Sequence, residues 1–526
     1  MDDIVIDKAS NLNVSAVVKP PTFERNISTL VKGGGITFAG KMFLSASRLV
    51  IAVLLARLLG AEQYGLYNLA ISVAALASGL ALLGLDSALV RYVAISASRR
   101  DEAGLWGALQ VGVGISMLLS VVISTGLFAL AYPIAEQTFH EPRLAPLLQL
   151  ASIIVPLLTL SETLAGASRG FKRMEYPAIA QSIAQPVIRL ILVVVLAVVG
   201  LNAAHAIVIY GLADGCASLI MLFYLNRLFS LKRPLHTARR DTRAILGFSL
   251  PLWLSQLMHQ FRNNAQTLLL GSFNTVTSVG IFSVASQLNT FGGLFSSSIN
   301  IASKPIIAEL HDRGDREQMG RIYRTTTKWS LMLQLPIFLI VVLFAEPILS
   351  VFGESFRTGA AALVVLACAD LAHVGTGMGG IILDMTGHTR LKLVNSIIRL
   401  ILYLGLDVLL IPGWGLMGAA VAVLLGEIAV NLLVLLEAYI LFRLLPYDRS
   451  TLKPIAASMC AFASTLVLRL WLPAEASLFY VGIHVAVLCA VYGGVTLLLR
   501  LSEEERTVLA RFYRRAHSMI PRSRPC

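Results

Sequence analysis

Charge is scarce in this chain: only 14% of its 526 residues are Asp, Glu, Lys or Arg, while 56% are hydrophobic, and the mean hydropathy is +0.75. A water-soluble domain carries charge at about a quarter of its positions, so a soluble globular fold is excluded. Cysteine is scarce as well. The five cysteines, Cys216, Cys368, Cys460, Cys489 and Cys526, have no metal-ligand spacing, and the first four fall in apolar stretches as small hydrophobes. No phosphate-cradling glycine loop, zinc-ligand cluster or nucleophile elbow sits on a loop long enough to host it. Neither ATP hydrolysis nor covalent catalysis is therefore expected, and no cofactor is implied. Residues 1–27 lack the apolar core and cleavage site of a secretory signal, and Cys526 stands last rather than fourth from last, so the prenylation pattern is missing too.

What is present is a succession of apolar runs. About 20 mostly apolar residues cross roughly 30 Å of hydrocarbon. Runs of that kind lie near residues 33–59, 65–91, 106–133, 145–168, 178–199, 204–227, 245–270, 278–304, 326–349, 358–384, 389–411, 416–442, 454–472 and 477–499. The expected fold class is an all-α polytopic membrane protein of about fourteen spans, with loops too short for a soluble domain.

The net charge of +13 comes from 43 Lys and Arg residues scattered over many short loops. That distribution argues for topology rather than a nucleic-acid partner. Loops after even-numbered spans carry Arg99 and Arg100; Arg169, Lys172 and Arg173; Lys232, Arg233, Arg239, Arg240 and Arg243; Arg313, Arg316, Arg321, Arg324 and Lys328; Arg390 and Lys392; Arg449 and Lys453. Loops after odd-numbered spans offer only Arg143 and Arg357. Basic loops face the cytoplasm, so both termini are expected there, in a cytoplasmic membrane. After the last span, 501–513 reads as a basic amphipathic helix with Ser502 and Glu505 as a capping box, suited to an anionic lipid surface.

The chain repeats itself. Gly65-Leu66-Tyr67 with Ala70 after the first span is echoed by Gly280-Ile281-Phe282 with Ala285 after the seventh, and Ile188-Arg189-Leu190-Ile191-Leu192 reappears as Ile398-Arg399-Leu400-Ile401-Leu402. The offsets, 215 and 210 residues, equal six spans, an even number, so the two units share one orientation. The expected organisation is a segment 1–32, an N-lobe 33–228, a basic linker 229–244, a C-lobe 245–443, two added spans in 444–500 and a tail 501–526. Chance recurrence of apolar pentapeptides is the competing explanation.

With its glycine-studded first span, then Leu58-Leu59-Gly60-Ala61-Glu62-Gln63-Tyr64-Gly65-Leu66-Tyr67 and Gly84-Leu85-Asp86-Ser87-Ala88-Leu89-Val90-Arg91-Tyr92, the chain resembles bacterial and archaeal polysaccharide flippases. These form the polysaccharide branch of the multidrug/oligosaccharidyl-lipid/polysaccharide exporter superfamily. The resemblance implies alternating access by two lobes, with an isoprenoid pyrophosphate-linked oligosaccharide taken up on the cytoplasmic side and released outside. Partners would be that lipid-linked substrate, membrane lipids and the polymerase or glycosyltransferases of the same pathway.

A charge at mid-membrane costs about 3 kcal/mol or more on insertion scales, so such residues are candidates for function. Lys41 and Arg48 in the first span are two helical turns apart and share a face. Arg262 in the seventh has His259 and Asn263 beside it, and stands 18 residues before Gly280, as Arg48 stands 17 before Gly65. The lipid II branch of the family uses arginines of the same two spans. Arg48 and Arg262 are therefore expected to bind pyrophosphate, with Lys41, His259 and Asn263 lining the cavity. The alternative is structural pairing of these arginines with Asp86, Asp214 or Asp370. Asp370 and His373, with Asp384 and several glycines in the tenth span, could relay protons or bind a coupling cation, and Asp86 is a further coupling or gating candidate. No metal site is expected. Pro156, Pro251 and Pro336 are candidate kinks. A cation-coupled drug or metabolite antiporter is the competing function, disfavoured because that cargo wants carboxylates in the N-lobe where this chain places Lys41 and Arg48.

Overall fold

The computed structural model describes residues 23–198, 200–230, 234–472 and 478–499, and these are helical throughout, without a strand. The expected tail helix at 501–513 lies outside the described residues. Ten of the described helices are long and apolar enough to cross a membrane, as an apolar chain must when lipid offers its backbone no hydrogen bonds.

The first half comprises α1 (Phe23–Leu82), α2 (Leu85–Ser98), α3 (Glu102–Ala129), α4 (Leu144–Gly170), α5 (Gln185–Ala197) and α6 (Ala203–Leu228). The second comprises α7 (Thr242–Phe273), α8 (Val276–Gly292), α9 (Leu294–Asp312), α10 (Arg316–Ser350), α11 (Ala360–Gly375), α12 (Gly379–Met385) and α13 (Thr389–Phe442). The hairpin α14 (Leu452–Trp471) and α15 (Leu478–Leu498) packs on α10. Two helices contain a reversal. Gly60 (φ 71°, ψ 171°) divides α1 and Gly415 (φ 52°, ψ −126°) divides α13, conformations open to glycine and strained for other residues. Each sits at an expected boundary between spans.

Some boundaries differ from expectation. The second apolar run is interrupted at Leu83 (φ 48°) and Gly84 (φ 71°), and the tenth at Gly377 (φ 68°). Helix α10 departs from helical geometry at Phe344 (φ −129°, ψ 26°) rather than at Pro336. Phe344 lies three residues before Pro347, whose ring crowds the preceding turn. Helix α7 is not among the ten apolar spans; it carries Gln256, Gln260, Arg262, Asn264 and Gln266 in place of an apolar run.

The halves meet at the repeat motif. A Cβ on Gly65 would overlap the carbonyl oxygen of Val276, and a Cβ on Gly280 would overlap that of Ala61. The contact is reciprocal, with each glycine of one motif on the backbone of the other, so the repeat read from the sequence is also a packing symmetry. Around it one apolar core takes residues from both halves, among them Leu66, Leu69, Ile281, Val284 and Leu366. Toward the basic loops the core divides. Leu85, Leu89, Leu105 and Leu164 belong to one cluster, joined by Ile245 of α7, while Ile306, Tyr323, Ile382 and Phe442 belong to another. The bundle thus shares one core at one end and holds two clusters at the other, where α7 joins the first-half cluster. Between these ends α7 lies along α1 and α2: Trp253 Nε1 donates to the Gly79 carbonyl (3.1 Å), Gln256 Nε2 to Ser87 Oγ (2.9 Å), and Tyr92 Oη to the Ala244 carbonyl (2.9 Å).

Gly65→Val and Gly280→Val should each destabilise the protein by about 1–3 kcal/mol through overpacking, read as a lower melting temperature in detergent. Gly126→Ala, where a Cβ meets nothing within 4 Å, should leave melting unchanged or raise it slightly. Equal melting of all three variants would remove the proposed glycine contact.

Candidate functional site

In the first half the charges inside the bundle gather on α5 and α6. A π-helical segment, Ala178–Ala184, runs into α5 between Pro177 and Pro186. Arg189 follows it and places Nη2 3.6 Å from Asp214 Oδ2 of α6, with its guanidinium 3.9 Å from the centre of the Tyr210 ring. Asp214 is 4% exposed, so the guanidinium supplies the opposite charge that a carboxylate needs in such surroundings. Tyr67 of the repeat motif lies in the field of the same pair. Tyr210 also lies in the field of Arg48 on α1. The Arg48 side chain is exposed, and among the described residues it forms no ion pair.

The second half builds a larger cluster around Glu427 of α13. Arg399, Tyr403 and Asp407 recur every four residues on one face of this helix. Arg399 Nη1 is 3.9 Å from Glu427 Oε1, and Tyr403 Oη donates to that oxygen at 2.6 Å. Asn431 Nδ2 donates to Glu427 Oε2 at 2.7 Å. From α11, His373 Nδ1 faces the same Oε2 at 3.5 Å and Asn431 Oδ1 at 3.2 Å, and Thr376 Oγ1 donates to Asn431 Oδ1 at 3.1 Å. Gly426 makes room for the Tyr403 ring, because a Cβ there would stand 2.6 Å from Cε2. Arg262 of α7 is half-buried and lies in the field of Arg399, Tyr403 and Glu427.

The carboxylates expected as alternative partners of Arg48 and Arg262 are engaged elsewhere. Asp214 holds Arg189. Asp370 Oδ2 accepts from Gln334 Nε2 at 2.8 Å. Asp86 Oδ2 accepts from Ser87 Oγ at 3.2 Å and Gln256 Nε2 at 3.4 Å. Asp384 pairs with Lys392, and Arg57 Nε donates to the Val351 carbonyl. The side chains of Lys41, His259 and Asn263 lie outside the described residues. Sequence reasoning had matched Arg189 with Arg399 but missed Tyr210, Tyr403, Asn431 and Asp407, and had no role for Glu427. The available signal was the repeat itself: the apolar run after Arg189 holds Asp214 as its one carboxylate, and the run after Arg399 holds Glu427 and Glu437. Asp407 is fully buried, and neither of its oxygens has a hydrogen-bond partner in the described structure.

A bundle of apolar spanning helices in two repeated halves, with arginine–carboxylate pairs inside, defines a multi-pass membrane protein of the transporter class. The chain belongs to the family described as polysaccharide biosynthesis protein, which matches residues 30–311; a second family, MatE, matches residues 251–409. It is 28% identical to stage V sporulation protein B of Bacillus subtilis (strain 168), over 77% of this chain and 82% of that protein. It is also 26% identical to the probable flippase AglR of Haloferax volcanii, over 48% of this chain and 53% of that one. Among solved structures, the inward closed conformation of lipid II flippase MurJ covers 88% of this chain and 98% of its own, with a TM-score of 0.71 at 13% identity. An inward-facing MATE family transporter covers 76% and 94%, with a TM-score of 0.64 at 16% identity. At these identities the likeness is one of fold.

Removing one member of the buried pair should be worse than removing both. Asp214→Ala should destabilise by about 3–5 kcal/mol by leaving Arg189 uncompensated, whereas Arg189→Met with Asp214→Leu should recover much of that loss. Thermal unfolding of the purified variants in detergent tests this, and a double variant that melts below Asp214→Ala would contradict the pairing.

Proposed function

We propose that the protein is a flippase that moves an isoprenoid (pyro)phosphate-linked oligosaccharide across the cytoplasmic membrane by alternating access, for a polysaccharide or other cell-envelope glycan. The observation that carries this reading is Arg48. It is a permanent cation within an apolar spanning helix, exposed and without an ion pair among the described residues, while the neighbouring Asp214 already serves Arg189. A guanidinium at that depth is tolerable only where water or an anion reaches it. Arg262 of α7, half-buried, lies in the field of Arg399 and Glu427 in the second half. A pyrophosphate between the halves would supply an anion to Arg48, with Arg262 as its counterpart from the second half, bound bidentately.

The lobes in this reading are residues 33–228 and 245–443, and the fourteen spans of this reading count α1 and α13 as two each and add α7 and the α8–α9 pair to the ten apolar helices. The positive-inside rule makes the side of the basic loops the cytoplasmic side, with both termini there. Lys41, His259 and Asn263 would line the approach, and Asp370, His373 and Asp86 would serve coupling or gating. The relatives named as flippases support the cargo class. Enzymes of the same glycan pathway would supply the substrate and take up the product. The activity is transport rather than catalysis. The match to MatE over 251–409 favours a second reading, a cation-coupled drug or metabolite antiporter.

Arg48→Ala and Arg262→Ala should abolish export of the lipid-linked glycan at normal protein level, whereas Arg357→Ala, which loses only an exposed pair with Glu354, should not. Intact export in both cavity variants would refute the phosphate clamp. Purified protein should be stabilised against heat by an isoprenoid pyrophosphate sugar; stabilisation by a cationic dye alone would transfer the assignment to the antiporter.

A further inference from the structure

A groove of about 630 Å³ lies on the outer wall of the first half, away from Arg48 and Arg262. Helix α3 forms its floor from Trp106 to Leu118, with Leu160 and Leu164 of α4 and Leu222 and Leu225 of α6 as its sides. Of the lining side chains only Gln110, Arg240 and Thr242 are strongly polar, and Arg240 and Thr242 come from the segment that joins the two halves. That segment is strapped over the start of α3. Arg239 pairs with Asp101, the Arg239 N–H donates to the Ala103 carbonyl at 2.9 Å, and a Cβ on Gly107 would overlap the Arg239 carbonyl. Trp106 Nε1 donates to the Pro234 carbonyl at 3.1 Å. Arg240 Nε donates to Gln110 Oε1 at 2.8 Å, which fixes the guanidinium at the rim. Beyond it Gly114 opens the floor, since a Cβ there meets nothing within 4 Å.

We propose that this groove binds an anionic glycerophospholipid of the leaflet on the basic-loop side, its phosphate on Arg240 and one acyl chain along α3. The charge matches at the rim: Arg240 lines the groove and is exposed, with the exposed Arg239 and Arg243 close to it in the chain, and clusters of basic residues beside a spanning helix attract anionic head groups. The length matches as well. From Trp106 to Leu118 a helix rises about 18 Å, close to the roughly 15 Å of hydrocarbon in one leaflet, so the occupant ends near the midplane as a chain of one leaflet does. The volume is that of a ligand pocket rather than a packing defect. Because one rim of the groove is the strap between the halves, the bound lipid ties the outer wall of α3, α4 and α6 to the start of α7.

The test is thermal unfolding of the full-length protein in a neutral detergent with added phosphatidylglycerol or phosphatidylcholine at equal concentration. Phosphatidylglycerol should raise the melting temperature more than phosphatidylcholine does. Arg240→Gln should remove at least half of that difference. Gly114→Leu, whose Cβ meets nothing within 4 Å and whose side chain would occupy the floor, with a better helix former in place of glycine, should do the same. Arg48→Ala and Arg357→Gln should retain it in full, separating this site from the substrate site and from general surface charge. No lipid preference in the unaltered protein, or a full preference in both Arg240→Gln and Gly114→Leu, overturns the proposal. An equal shift from inorganic phosphate alone overturns the lipid assignment, because the groove would then be contributing nothing.

Discussion

The reciprocal seat of Gly65 on Val276 and Gly280 on Ala61 is the contact on which the rest of the architecture depends. Without a hydrophobic drive between helices in lipid, association rests on close backbone approach, and glycine permits the closest. Here the approach occurs at the same place in both repeats. Each half therefore presents an identical element to the other, and the core that surrounds the contact is shared, whereas the cores at the opposite end are separate.

The second constraint is electrostatic. Ionised groups inside a bundle are tolerated when paired, and both halves solve this alike, an arginine of one helix meeting a carboxylate of the next apolar run: Arg189 with Asp214, Arg399 with Glu427. With Asp214 engaged by Arg189, Arg48 forms no ion pair among the described residues. The second half is also more heavily cross-linked, because Tyr403, Asn431, His373 and Thr376 converge on Glu427 and its neighbour, while the first half relies on the Tyr210 ring. Equivalent positions have thus diverged in chemistry while retaining one backbone plan.

Much of this was legible before any coordinates. Gly60, expected to close the first span, adopts a positive φ in the structure, as does Gly415 between two further runs. The match of Arg189 with Arg399 marked a shared role, which proved to be pairing with a carboxylate. Other features were not legible. Nothing in the local sequence around Leu83 signals that the second run is interrupted there, because that break is settled by α7, whose Ser249 carbonyl and Trp253 press on Gly84. Nor could Glu427 be assigned, since its partners lie on three different apolar runs and no spacing rule connects them.

The sequence by itself determined that the chain lies in a membrane, which loops bear the positive charge, and that two units of like orientation repeat, because hydropathy, charge bias and self-similarity are properties of the linear chain. Only the tertiary structure decided which arginine meets which carboxylate, and that the repeat glycines touch one another. It also decided that a strap of the linker roofs a groove on α3. These are distances between segments tens to hundreds of residues apart, set by how helices pack rather than by any residue's own preference.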